Sequence, residues 1–180
     1  YSAPEIIFED AEAGLLLLED LGDDTYTSRL EAGDDENALY RLAVDVLIDL
    51  HRRPAGEAVA DGVPAFDDDM MMEEAALMTE WYLPAVLGAD RAGALADSYR
   101  QCWLPLLPSA RSVPDSLVLR DYHVDNLMRI DGREGIAACG LLDFQDAVVG
   151  PVSYDLMSLV EDARRDVDLN LATAMRGRYL

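Results

Sequence analysis

The chain has 180 residues, 51% of them apolar, and a formal charge of −22 from 36 acidic and 14 basic side chains. That length supports one sizeable core and a first expectation of one domain. The charge repels nucleic acid and anionic membrane surfaces, which excludes both as primary partners; it would suit a cationic ligand, or simply solvate acidic helix faces.

Ile6-Ile7-Phe8 and Leu15-Leu16-Leu17-Leu18 flank Ala13-Gly14 and read as the strands of a hairpin. Glu19 to Asp24 is a polar linker containing Gly22. Between 37 and 50, Leu39, Leu42, Ala43, Val46, Leu47 and Leu50 form a helical stripe. Asp34 or Asp35 can cap it, His51-Arg52-Arg53 suits its negative end, and Pro54 stops it.

Residues 55–66 read as loop. Asp67-Asp68-Asp69 then opens a methionine-rich helix over 69–82, broken by Pro84 and Gly88. Such a carboxylate run fits a helix N-terminus better than a metal cluster, since no second acidic cluster of that type accompanies it. Met70, Met71, Met72, Leu77 and Met78 read as core. A further helix over 89–104 ends near Pro105, and Ser109 to Ser116 is a polar connection.

The last third changes character. Leu117-Val118-Leu119 is a short strand; Leu127 to Ile130 and Ile136 to Leu142 are two more, joined by Asp131-Gly132. Pro151 is expected to open a helix with Leu156, Leu159 and Val160 on one face, and a final helix covers 168–176. The class is α+β, mostly helical, with a small sheet and a hairpin carrying the polar residues. Cys102 and Cys139 lie far apart in apolar settings and are expected to be reduced and buried, as in a cytoplasmic protein. No apolar run is long enough to span a bilayer.

The densest polar cluster is Arg120-Asp121-Tyr122-His123-Val124-Asp125-Asn126, directly after an apolar strand. Leu142-Asp143-Phe144-Gln145-Asp146 follows further on. Asp121, Asn126 and Asp143 each end an apolar segment, so a loop, a hairpin and a second loop would gather them on one side. Phosphoryl transfer needs such a set: a carboxylate to orient the attacking hydroxyl and take its proton, and hard oxygen donors to hold Mg²⁺ against nucleotide phosphates. D-x-x-x-x-N, a hairpin, then D-F is the arrangement of protein kinases.

These residues, with Leu142 to Leu156 around Gly150-Pro151-Val152-Ser153-Tyr154-Asp155, resemble the aminoglycoside/choline-kinase-like phosphotransferases. Within that family they are similar to the bacterial kinases that phosphorylate the anomeric hydroxyl of N-acetylmuramate and N-acetylglucosamine in cell-wall recycling. Leu16 to Asp23, Leu50-His51, and Glu74 through Trp81-Tyr82-Leu83 extend the likeness over nearly the whole chain.

The resemblance implies a protein-kinase-like fold: residues 1–18 as the end of an N-terminal lobe, 19–24 as the hinge, and 25–180 as the catalytic and substrate-binding lobe. It implies Asp121 as catalytic base, Asn126 and Asp143 as Mg²⁺ ligands, and Glu19, Asp20 and Leu21 as the hinge pairing with the adenine of ATP. Asp155 would brace the catalytic loop as structural support. Glu74 and Trp81 would wall the acceptor pocket, one receiving sugar hydroxyls and the other stacking on the ring; a surface glutamate and a core tryptophan are the ordinary alternative. His123, in the catalytic loop, is a candidate for substrate or phosphate contact, whereas His51 reads as a packed or capping residue. The implied partners are a nucleotide and a sugar or aminoglycoside.

Two departures matter. The family carries a scaffolding histidine two residues before the catalytic aspartate, where this chain has Leu119; its loss should weaken the bracing of the loop. All 14 basic residues are arginine, so the ATP-gripping lysine of the N-terminal lobe cannot come from this chain. The chain, which starts at Tyr1, therefore reads as a fragment that lacks the phosphate clamp and is inactive alone. A nucleotide-binding module without catalysis is the alternative from a different class.

Overall fold

The computed structural model describes residues 1–180, the side chain of Ala55 apart. The first hairpin pairs β1 (Ile6–Asp10) with β2 (Leu15–Leu18), turning at Gly14 with φ +67°. After the polar linker comes a short helix that the sequence reading missed, α1 (Tyr26–Glu31), capped by the Thr25 side chain. The long helix α2 (Glu36–Arg52) is capped by Asp35, whose carboxylate accepts from the Ala38 N–H. Leu39, Tyr40, Ala43, Val44, Val46, Leu47 and Leu50 are buried along one face, which makes α2 the spine of the core.

A one-turn helix α3 (Ala55–Ala58) precedes α4 (Asp68–Leu77), capped by the Asp67 carboxylate on the Met70 N–H. Here the expected break at Pro84 does not occur. A π-helical turn at Met78–Tyr82 leads straight into α5 (Leu83–Leu87), with the Leu83 N–H reaching the Met78 carbonyl. The widened turn tolerates proline near the start of α5, where its missing N–H costs least. Gly88, at φ +84°, ends α5 and begins α6 (Ala89–Trp103). A short α7 (Leu107–Ala110) closes this helical arm.

Three antiparallel two-stranded ribbons complete the β content. β3 (Asp115–Val118) pairs with β6 (Val148–Pro151), and β4 (Leu127–Arg129) with β5 (Cys139–Leu141). Two expectations fail here. Ile136 to Leu142 is not one strand: a 3₁₀ turn, Gly135–Ala138, occupies its first part and lengthens the hairpin loop. Pro151 does not open a helix but ends β6, opposite Asp115, and a strand end tolerates a residue with no N–H. The helix that follows, α8 (Tyr154–Val160), starts three residues later, and α9 (Leu169–Tyr179) is capped by Asp168.

The ribbons approach closely where glycine permits it. A Cβ on Gly140 would stand 2.8 Å from Cβ of Met128 and 3.2 Å from Cδ1 of Leu21, so linker and hairpin touch at that point. The main core joins α2, α8 and α9 to the segment Leu119–Leu127 and to Cys139 and Leu141. Cys139 is buried as expected, but Cys102, on α6, is exposed. So are Leu77 and Met78, because the arm buries only Met72 and Ala92 along α4 to α6. No described helix is long and apolar enough to cross a membrane.

Candidate active site

The loop between β3 and β4 carries Asp121 and Asn126; the turn after β5 carries Asp143. The Leu142 N–H donates to the Asn126 carbonyl at 2.9 Å, which fixes the second segment beside the first. Asn126 Nδ2 lies 3.1 Å from the Asp121 carbonyl oxygen and 3.4 Å from Asp143 Oδ2. The structure thus brings together Asp121, Asn126 and Asp143 from separate segments. The Asp121 carboxylate is half exposed, open to an incoming group. Asp143 adopts φ +56°, a left-handed conformation uncommon outside glycine, asparagine and aspartate.

The donor set suits a hard cation. Asp143 supplies a carboxylate, with Gln145 donating to its Oδ1 at 2.6 Å. Nδ2 of Asn126 is committed to the Asp121 carbonyl and, at 3.3 Å, to His123 Nε2, and no protein donor among the described residues contacts its Oδ1. Two oxygen ligands are few, and no described group of three or more His, Cys, Asp or Glu residues could hold a metal by itself. Mg²⁺ fits such a pair when phosphate and water complete its octahedron.

Beneath the loop the supports are buried. Asp155 has no exposed surface and accepts from the backbone N–H of Leu119 at 2.7 Å and of Arg120 at 2.9 Å. Burial pushes its carboxyl up to about 7, against the pull of those two N–H donors, which favour the charged form. The Tyr122 hydroxyl donates to the Ala43 carbonyl on α2, and burial raises its pKa well above that of a free phenol. Leu119 stands where a scaffolding histidine was expected and packs into the core instead, so bracing here passes through the backbone.

His123 is 5% exposed; its ring lies beneath the loop rather than facing solvent, with Nδ1 buried and unpartnered. His51 packs edge-on against Tyr179, within hydrogen-bond reach of its hydroxyl at 2.6 Å, and burial lowers its pKa. In the linker, Glu19 accepts from the Glu5 N–H and from Arg133, and the Asp20 carboxylate accepts from the Gly22 N–H. Leu21 packs over Gly140 on β5, joining the linker to the hairpin that leads to Asp143.

Glu74 and Trp81 part company. Glu74 pairs with Arg120 and receives the Tyr154 hydroxyl, and it lines a cavity of about 410 Å³ with Phe66, Met71, Trp103 and Met157. Trp81 is 73% exposed on the π turn, and the indole that lines this cavity is Trp103. Sequence reasoning gave no role to Arg120, Tyr154 or Trp103. The first two stood inside the recognised motifs, and an arginine next to the candidate base was a signal available without a structure.

A family model described as "Phosphotransferase enzyme family" matches residues 1–180. An N-acetylmuramate/N-acetylglucosamine kinase of Caulobacter vibrioides is 37% identical over 184 residues, covering 99% of this chain and 50% of that protein. The Pseudomonas putida protein of the same description is 38% identical over 160 residues, covering 89% and 44%. This chain therefore spans about half the length of the curated relatives it matches. Among solved structures, the GDP complex of wild-type aminoglycoside 2'-phosphotransferase-IIIa superposes with a TM-score of 0.62 at 19% identity, covering 98% of this chain and 60% of that one. The streptomycin–ATP ternary complex of APH(2″)-IIa gives 0.60 at 17% identity, with 99% and 60% covered. At those identities the likeness is one of fold.

Proposed function

This chain belongs to the phosphotransferase enzyme family, and we propose that it carries the acceptor and magnesium side of an ATP-dependent kinase for an amino sugar, N-acetylmuramate or N-acetylglucosamine. The observation that carries this reading is the convergence of Asp121, Asn126 and Asp143, with Nδ2 of Asn126 within 3.4 Å of both other residues. Identity of 37% to kinases of those two sugars supports the acceptor class.

Asp121 orients the sugar hydroxyl and takes its proton as the oxygen attacks the γ-phosphorus of ATP and the bond to the bridging oxygen breaks, releasing ADP. Asn126 and Asp143 would hold Mg²⁺, which when bound neutralises phosphate charge. Asp155 keeps the loop in register from below. Residues 1–18 form the end of an N-terminal lobe and 19–24 a hinge, whose backbone at Glu19, Asp20 and Leu21 pairs with adenine. All 14 basic residues are arginine, so a lysine that grips phosphate is not among the residues of this chain, and the chain alone is expected to be inactive. The reading places the protein in the cytoplasm, in cell-wall recycling.

A charge of −22 favours a second acceptor class, cationic aminoglycosides. The test is a phosphorylation screen of the protein at full length with Mg²⁺ and ATP against both sugars and a panel of aminoglycosides. Turnover of the sugars is expected; turnover of aminoglycosides alone reverses the assignment, and nucleotide binding without any transfer leaves a binding module. Asp121→Ala should lower turnover by about 10³-fold or more, on the scale of losing an essential proton acceptor, with nucleotide affinity nearly unchanged.

A further inference from the structure

We infer that Glu74 and Arg120 form a positioning pair through which the helical arm sets the catalytic loop, so that Glu74 acts on turnover by way of Asp121 rather than by holding the acceptor. The inference rests on the kinase reading above and departs from the expected sugar-binding role of Glu74.

Arg120 directly precedes Asp121 and adopts φ +70°, a conformation that costs a non-glycine residue free energy and persists only where its surroundings impose it. They do so from two sides. Its backbone N–H is held by Asp155. Its guanidinium places Nε at 3.0 Å and Nη2 at 2.5 Å from Glu74 Oε1. The other oxygen of Glu74 receives the Tyr154 hydroxyl at 2.7 Å, and Tyr154 is the chain neighbour of Asp155. Arm, loop and the start of α8 thus close into one ring of contacts around a single residue.

Three protein donors already sit on Glu74, two on Oε1 and one on Oε2, so a sugar hydroxyl would have to compete with them for the carboxylate. The pair is also sheltered, at 25% and 28% side-chain exposure, so it is screened less than an open surface ion pair. Met70 and Met71 of α4 pack against Phe66, Val118 and Val148, which seats the arm on the strands below the loop; the pair with Arg120 is its polar contact with the loop itself. Glu74 and Tyr154 also border the cavity of about 410 Å³, so what fills that space touches the ring.

The test uses the protein at full length with Mg²⁺-ATP and N-acetylglucosamine, comparing Glu74→Gln, Glu74→Asp, Arg120→Gln and the double variant Glu74→Gln/Arg120→Gln, with Asp121→Ala in parallel. Glu74→Gln and Arg120→Gln should each lower kcat about tenfold, with acceptor KM and ATP affinity within about twofold. The double variant should be no worse than either single one, because the two act as a unit. Glu74→Asp, which keeps the charge, should recover part of the loss and guards against a variant that merely misfolds. A raised acceptor KM at unchanged kcat would return Glu74 to substrate binding, and losses that multiply in the double variant would dissolve the pair. If wild type and Asp121→Ala are equally inactive, the amino-sugar kinase reading fails. The pair is then judged by amide hydrogen exchange over residues 118–123, which should quicken about tenfold in Glu74→Gln; unchanged exchange overturns it.

Discussion

The loop between β3 and β4 and the helical arm treat their side chains in opposite ways. From Val118 to Met128 the chain buries Val118, Leu119, Tyr122, His123, Val124, Leu127 and Met128, leaving Asp121 and Asp125 outward. Along the arm, Leu77, Met78, Trp81, Tyr82, Val86 and Leu95 are all more than 40% exposed. The loop is irregular backbone fixed by what lies beneath it; the arm is regular backbone with little beneath it. Regular secondary structure satisfies its own N–H and C=O groups and can stand away from a core, whereas a loop must find partners elsewhere. Here the Asp155 carboxylate takes two of the loop's N–H groups, and the Ala43 carbonyl on α2 takes the Tyr122 hydroxyl.

The largest stability effect should therefore come from below the loop. Asp155→Ala strands the Leu119 and Arg120 N–H groups and should cost about 2–6 kcal/mol, at about 1–3 for each unsatisfied donor. Urea unfolding measures it; a loss below about 1 kcal/mol would mean that water or a shifted backbone replaces the carboxylate.

The same residue gives the comparison a pH dependence. Its folded-state carboxyl is pushed up to about 7, above the ordinary carboxylate value, so between those limits the native state holds a proton that the unfolded chain has released. This contribution makes stability fall as pH rises through that window, in the same direction as self-repulsion at a net charge of −22. Unfolding measured at several pH values should show a steeper fall in wild type than in Asp155→Asn, and equal slopes would place the carboxyl's pKa in its usual range.

At the small end, Trp81→Ala should change stability by no more than about 0.5 kcal/mol, as for other exposed positions. A larger loss, read in the same unfolding experiment, would show the arm to be supported where it looks bare.

What could be read in the sequence follows the same division. The α2 stripe was legible because one face meets the core, and so were the caps at Asp35 and Asp67; Asp168, read as the first residue of the last helix, is its cap. Asp121, Asn126 and Asp143 were legible as a cluster because each ends an apolar segment. The arm was legible in part: Met72 is buried and Met70 and Met71 pack on Phe66, Val118 and Val148, but Leu77, Met78 and Trp81 are exposed, because periodicity shows that a face exists, not that anything covers it. β6 was missed because Gly150 and Pro151 argue against a strand locally. It forms through tertiary pairing with Asp115–Val118, and Gly150 is required there because a Cβ would stand 2.8 Å from Cβ of Phe66. The link from Glu74 to Arg120 crosses 46 positions and left no local signal.

The π turn at Met78–Tyr82 bears on how such an arm can change length. A π turn is an α-helix with one residue too many, absorbed locally. Losing one residue there would restore an ordinary α turn and keep the facing of α5 and α6, whereas the same loss within α4 would rotate the residues beyond it by about 100°. Glu74 lies upstream of the turn. A single-residue deletion over 78–82 can accordingly shorten the arm while α5 and α6 keep their facing and Glu74 its place, which makes that turn the expansion joint of the molecule.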